Sequence, residues 1–396
     1  MHVCCFMIRR TFLLCLTTTN DSSVLAQRGR NKQKRHDLRQ LGLSLLVTHD
    51  FQIPLFHHVY PGNIPDVSLF SQMTGELIDR YKKITGKKSD ATLVLDKGNV
   101  SDDAMEDLVV SGTHFVVTLS AHRCKSFLAT PLEKFQPLEG MPGTLSFDTT
   151  QTHWGKSCRT VVVYTESLFT QQLQGVTHNL VKCQKKLLDL GKGLERWRQG
   201  KCRGKKPTFN AVRKSVNNIL LAQFMKELIA TQVTQDKKTG LPCLLYHVDH
   251  EALQRLSRER LGRTVLASDC LDWNARQVVE AYRSLCVVED AFKSMKNTDF
   301  LRWQPSYHWT DQKLRVHALY CVLALLISSL ARKVAYQAGV EITLLALLKE
   351  LSKIREVAIV YPPGTLAHRK DHITLSRMSP RQKKLSDALE IANIIG

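Results

Sequence analysis

The sequence predicts an α/β protein in which a mixed sheet, flanked by helices, is interrupted by an inserted subdomain. Three observations carry that expectation. Two short β-rich runs end in an acid, ATLVLD at 91–96 and RTVLASD at 263–269. Buried strands look like this, and an acid just past a strand's carboxyl end is where open α/β sheets place active groups. The stretch NARQVVEAYRSLCVVEDAFKSMK, 274–296, repeats apolar residues at helical spacing. Between them, over about 121–262, the character shifts to a long basic amphipathic pattern.

At 396 residues and 43% hydrophobic content the chain can bury a sizeable core in one large or two medium domains. Its 56 Lys and Arg against 36 Asp and Glu give a formal charge of +20. Such an excess points to a polyanionic partner, most simply nucleic acid. The 11 cysteines lack a C-x-x-C pair and regular spacing, which reads as reduced thiols, neither a disulfide framework nor a zinc site. The longest apolar run, Ala318 to Ala331, is shorter than the roughly 20 residues a membrane span needs, so a buried core helix is expected and no membrane partner. The apolar run Phe12 to Leu16 is too short for a signal peptide.

In order, residues 1–23 show no clear period, fit nothing that follows, and are expected to be non-homologous to the rest or disordered. A basic segment follows, RGRNKQKRHDLR at 28–39, in which Arg28, Arg30, Lys32, Lys34 and Arg35 could form a phosphate-contacting arm or a solvated loop. LGLSLLVT, 41–48, and IPLFHHVYPGN, 53–63, read as strands closed by turns. Val67 to Lys83 has helical spacing. ATLVLD, a helix ending at Gly112, and the strand HFVVTLS, 114–120, complete a first core segment over 24–120. The insertion, 121–262, holds a strand-like RTVVVY at 159–164 and LPCLLYHVD at 241–249, with a helix near 208–220. Its basic helix, about 170–203, sets Leu187, Leu190 and Leu194 among Lys182, Lys185, Lys186, Lys192, Arg196 and Arg198. The second core segment, 263–360, runs from RTVLASD through 274–296 to a final helix near 341–355. The basic tail, 361–396, is expected to be loosely ordered.

The stretch 274–296 organises the chain. Val278, Tyr282, Leu285, Glu289, Phe292 and Lys296 recur every third or fourth residue, on one helical face. A carboxylate on a buried stripe is costly unless it is paired or holds a metal. Glu289 therefore either pairs with Lys296 at the core edge or acts as a metal ligand, with Lys296 reaching a phosphate. Asp96, past its strand, either caps the next helix or is a second ligand. Two distant carboxylates in a very basic protein suggest phosphoryl transfer with two Mg²⁺ (or Mn²⁺) ions, which activate an oxygen nucleophile and stabilise the leaving oxygen.

Tyr282, Glu289 and Lys296 reproduce the Tyr, Glu and Lys of a signature written Tyr, two residues, Arg, three residues, Glu, six residues, Lys. That signature marks bacterial insertion-sequence transposases with a DDE catalytic triad. The block PSYHWTDQKLRVHALYCVLAL resembles their C-terminal continuation, and LVLDKGNVS the block around their second aspartate. RGRNKQKRHDLRQLGLSLLV and FHHVYPGNIPD resemble blocks between their first and second aspartates. The resemblance covers about 24–360. It implies a ribonuclease-H-like catalytic core and a DNA transposase acting by metal-dependent hydrolysis and strand transfer. Its partners would be double-stranded DNA, both transposon ends and target, and a second protomer in a synaptic complex. Such a protein would be cytoplasmic and nucleoid-associated in a bacterium. Asp96 and Glu289 would be catalytic metal ligands. Tyr282 and Lys296 would contact the DNA backbone or a terminal phosphate.

Two departures stand out. The signature Arg position is Leu285, with Arg283 the nearest base. The first aspartate belongs on a strand in the region reading MIRRTFLLC, which holds no acid. The resemblance also implies a DNA-binding region ahead of the core, so a truncated or frame-disrupted reading frame is expected. The rivals are a catalytically inactive DNA-binding remnant and an unrelated metal-dependent nuclease.

Overall fold

The strand Cys4–Leu14 (β1) lies inside a ten-stranded mixed sheet, pairing antiparallel with Arg39–Thr48 (β3) and parallel with Thr92–Leu95 (β5). The computed structural model describes residues 4–14, 23–31, 35–64, 75–76, 79–80, 83, 92–96, 100–236, 239–301, 303, 306–359 and 372–394. Gln27–Arg28 (β2) and Pro54–Pro61 (β4) both pair antiparallel with β3. On the other side β5 is parallel to His114–Thr118 (β6). Past Gln136–Pro137 (β7), the hairpin Thr144–His153 (β8) and Lys156–Thr165 (β9) lies at the far side of the sheet. Ile229–Gln235 (β10) and Pro242–Val248 (β11) form a separate ribbon. Arg263–Ser268 (β12) returns between β6 and β9, antiparallel to both.

Alternation within the central strands explains why they read as unbroken apolar runs. Leu93, Leu95, Phe115 and Val117 share one face with Ala104, Met105 and Leu108 of the helix Asp102–Ser111. Val94 and Val116 share the other with Phe12, Leu43, Val278, Phe292 and Leu325. Both faces are covered, so both residue sets must be apolar. Each fully buried large side chain contributes about 1.5–3 kcal/mol.

Residues 4–14 of the 1–23 stretch are ordered as sheet, with Phe12 and Leu14 fully buried. The Arg9-Arg10 pair interrupts the apolar run and masks the strand. The helix expected over Val67–Lys83 falls largely outside the described residues.

The insertion is narrower than 121–262. β8 and β9 extend the main sheet, joined by a tight turn in which Trp154 and Gly155 both take positive φ, 49° and 72°. Leaving the sheet at Thr165, the chain forms the helix Glu166–Arg198, then Phe209–Ile219, the β10–β11 ribbon and His250–Glu259. These elements close on their own core, including Leu187, Leu194, Val212, Val216, Leu228 and Leu256. The chain re-enters at Gly262, where a Cβ would meet Phe169 and Tyr164 at 2.7–2.8 Å.

The apolar run 318–331 belongs to a longer helix, Asp311–Gln337. By length and composition it could cross a membrane, yet Leu314, Ala318, Cys321 and Leu325 bury one of its faces in the core. The tail is not loose throughout. Glu356–Ile359 (β13) pairs with His372–Leu375 (β14), and the helix Pro380–Ala388 seats Leu385 against Ala335, Val340 and Leu347. Ser379 and Gln382 form a capping box around Pro380 at the first turn, a signal present in the sequence and missed.

Candidate functional site

Asp96 is exposed at the point where the fully buried β5 leaves the sheet. The parallel strands β5 and β6 end here, the antiparallel β12 begins here, and β9 hands the chain to the inserted helices here. The carboxyl ends of parallel strands and the mouth of the insertion therefore coincide. They enclose a cleft of about 490 Å³ lined by Asp96, Thr118, Gln172, Phe224, Arg260 and Tyr282, among others. A neighbouring cleft of similar volume is walled by Thr144, Thr165, Ser167, Thr264, Tyr282 and Arg283. Tyr282 divides the two.

The stretch 274–296 folds as two helices, Ala275–Arg283 and Cys286–Lys296, rather than one. Asn274 and Gln277 form a capping box that starts the first. Ser284 ends it: its hydroxyl donates to the Glu280 carbonyl at 2.7 Å, a back-bond that bends helices. The amides of Leu285 and Val287 then donate to the carbonyls of Tyr282 and Ser284, a tighter turn than the α-helix. The stripe survives the break. Val278, Leu285 and Phe292 are buried, while Tyr282, Glu289 and Lys296 are half-buried along its edge.

Electrostatics tie three of the singled-out residues together. Burial, above all, raises the Tyr282 phenol's pKa, and the negative charges of Asp96 and Glu289 both add to the rise. The Thr118 hydroxyl pulls the other way, more strongly than either carboxylate pushes. Asp96 lines the first cleft together with Tyr282, and Glu289 follows Tyr282 by seven residues along the same stripe. Seven residues separate Glu289 from Lys296, about 10 Å of helix rise. The Lys296 ammonium stands 4.8 Å from the centre of the Phe12 ring on β1. Arg283 is exposed and donates to the Thr144 hydroxyl at 2.8 Å, on the wall of the second cleft.

Of the basic arm, Arg28, Arg30 and Arg35 are exposed, and Arg35 pairs with Asp37 at 2.8 Å. Lys32 and Lys34 lie outside the described residues. β2, which carries Arg28, pairs with the start of β3 opposite the end of β1, so the arm shares the sheet end of Asp96. On the inserted helix Lys182, Lys185, Lys186, Lys192 and Arg196 are exposed, whereas Arg198 pairs with Glu195. Trp154 and Trp273 pack inward, Trp154 against Phe115. His317 Nε2 donates to the Trp303 carbonyl at 3.1 Å, and its ring centre lies 5.0 Å from that of His308, tilted by 56°.

Neither acid finds a third carboxylate from the central strand. The register that pairs Met7 with Leu95 brings Ile8, Arg9 and Arg10 next along β1, beside and beyond Asp96.

The second strand-terminal acid, Asp269, has another role. It lies at the opposite end of the sheet with a side chain of 0% exposure. It accepts from Lys156 Nζ at 2.5 Å and from the Phe115 amide at 2.7 Å, and it bonds His114 Nδ1 at 2.9 Å. His114, Asp269 and Cys270 bring possible ligand atoms within 4.8 Å of one another. The carboxylate's bonds are already taken and burial raises the Cys270 thiol's pKa, so the group reads as a staple between β6, β9 and β12. The sequence marked this acid as a strand end. Its partners are 113 and 155 residues away and could not be read from it.

No family model and no curated protein matches the chain. Among solved structures it is similar to a piggyBac transposase, determined by cryo-electron microscopy in a synaptic complex with hairpin DNA, at 9% identity and a TM-score of 0.41. That alignment covers 86% of this chain and spans 49% of the transposase chain.

Proposed function

We propose that the chain is a DNA-processing protein of the transposase kind, carrying out metal-dependent phosphodiester hydrolysis and strand transfer. The observation that carries this is that Asp96 and Tyr282 line one cleft at the carboxyl ends of parallel strands, with Glu289 seven residues on from Tyr282 along the same stripe. The sheet order supports a ribonuclease-H-like core: an antiparallel trio β4–β3–β1 continued by parallel β5 and β6. The signature residues Tyr282, Glu289 and Lys296 support membership of the insertion-sequence group.

The donor set fits a hard divalent cation. Two carboxylates from rigid elements, one exposed and one half-buried, leave room for waters, which Mg²⁺ retains. Asp96 and Glu289 would hold it, and when bound it would lower the pKa of an attacking water and stabilise the leaving oxygen. Tyr282, kept protonated by its surroundings, would donate to a backbone phosphate oxygen, with Arg283, Lys296 and the basic arm binding along the strand. Incubation of supercoiled plasmid with the purified chain tests this. Mg²⁺-dependent nicking that is lost in Asp96→Asn supports the reading. Nicking that survives Asp96→Asn overturns it.

The acid-free register of β1 favours a second reading, a DNA-binding protein that holds the fold without the full metal site. DNA binding of unchanged affinity with and without Mg²⁺, and no nicking, is its signature.

A further inference from the structure

The helix Asp311–Gln337 spends one face on the core and leaves the other uncovered. On the open face Val316, Tyr320, Leu323, Ile327, Leu330 and Val334 are each between 38% and 67% exposed. They follow one another at steps of four, three, four, three and four residues, an unbroken heptad stripe of nineteen residues. From Val316 to Ala331 the helix carries no Lys, Arg, Asp or Glu. A solvated helix face has no physical reason to be so, and patches of this extent mark interaction sites.

We propose that this stripe packs against the same stripe of a second copy of the chain, helix on helix. The four-three spacing is that of a knobs-into-holes seam, with Leu319, 43% exposed, flanking it on one side. Tyr320, Ile327 and Val334 occupy one heptad position and Val316, Leu323 and Leu330 the other. β-Branched residues alternating with leucine favour two strands. A twofold contact uses one patch on both partners, and an apolar stripe meets that demand without needing complementary charges. The charges stay at the rim, with Lys313 and Arg315 before the stripe and Lys333 at its end, while Arg332 turns away to the Ile342 carbonyl. The exposed parts of these side chains amount to on the order of 1,200 Å² over two copies, which enters the range of specific interfaces. The helix is already rigid: Asp311 at its start accepts from the Ser23 hydroxyl and from the amides of Val24 and Leu25. The contact needs neither metal nor DNA, so it stands or falls independently of the roles given to Asp96 and Glu289.

Sedimentation velocity of the full chain, without DNA, at protein concentrations from the low micromolar to the tens of micromolar is the test. The wild type is expected to sediment as a dimer. Ile327→Asp is expected to sediment as a monomer with an unchanged circular dichroism spectrum. Tyr320→Lys, at an equally exposed position, repeats the test should the aspartate variant fail to fold. A wild-type monomer throughout overturns the proposal. A dimer that persists in both variants also overturns it, because the contact then lies elsewhere. Flotation of a monomeric chain with vesicles containing anionic phospholipid, abolished by Ile327→Asp, overturns it in favour of a lipid-facing role.

Discussion

Truncating Phe12 probes how far the N-terminal strand belongs to the core. Its ring is fully buried, 4.3 Å from the Trp303 ring centre and 6.1 Å from that of Phe292, with Lys296 Nζ 4.8 Å above it. Phe12→Ala removes the packing and leaves a cavity, at a cost of about 4 kcal/mol. That is a large share of the ~5–15 kcal/mol by which folded domains are stable. The ammonium contributes less, about 0.5–1 kcal/mol for a half-buried lysine. Lys296→Met should therefore destabilise by no more than about 1 kcal/mol. The double variant should fall short of the summed losses by roughly the cation–π energy. Urea unfolding followed by circular dichroism measures all three. A Phe12→Ala loss below about 1 kcal/mol would refute the placement of β1 between β3 and β5.

Lys156→Met should destabilise by about 3 kcal/mol, because it strips a partner from the buried Asp269 carboxylate, and adding Asp269→Asn should recover part of the loss in the same urea assay. Burial lowers the pKa of His57 and His153 below the usual 6.5, so the unfolded chain takes up protons that the folded one refuses. Their stabilising effect is complete above pH 6.5 and is lost as pH falls through the folded values; unfolding free energies measured from pH 7.5 to 5 should decline, less steeply in His57→Phe. Replacing Lys182, Lys185 and Lys186 by Glu should weaken duplex DNA binding and flatten the log K against log salt slope by about 2–3, read by fluorescence anisotropy.

Much of the sheet was legible because its central strands announce themselves by composition: ATLVLD, HFVVTLS and RTVLASD fall on β5, β6 and β12. The strand Cys4–Leu14 was missed as a core element because a charged pair interrupts it and no turn of its own marks its start. β8 was missed because its exposed half, Asp148 to Gln151, reads as polar loop until β9 is seen to pair with it. The candidate site was legible in its parts. Helical spacing isolated Tyr282 and Glu289, and the strand-end rule isolated Asp96. That Asp96 and Tyr282, 186 residues apart and separated by an insertion, line one cleft is encoded by no local pattern. The break at Ser284 was not foreseen, since serine in a helix is common and only its back-bond to Glu280 reveals the bend.

The central claim is that Asp96 and Glu289 form one cation site. Titration with Mn²⁺, followed by the electron paramagnetic resonance signal of the free ion, tests it most directly. The account predicts a bound class in the wild type that weakens at least tenfold in Asp96→Asn and equally in Glu289→Gln, with little further loss in the double variant. Binding that survives either single substitution, or losses that simply add, would contradict it.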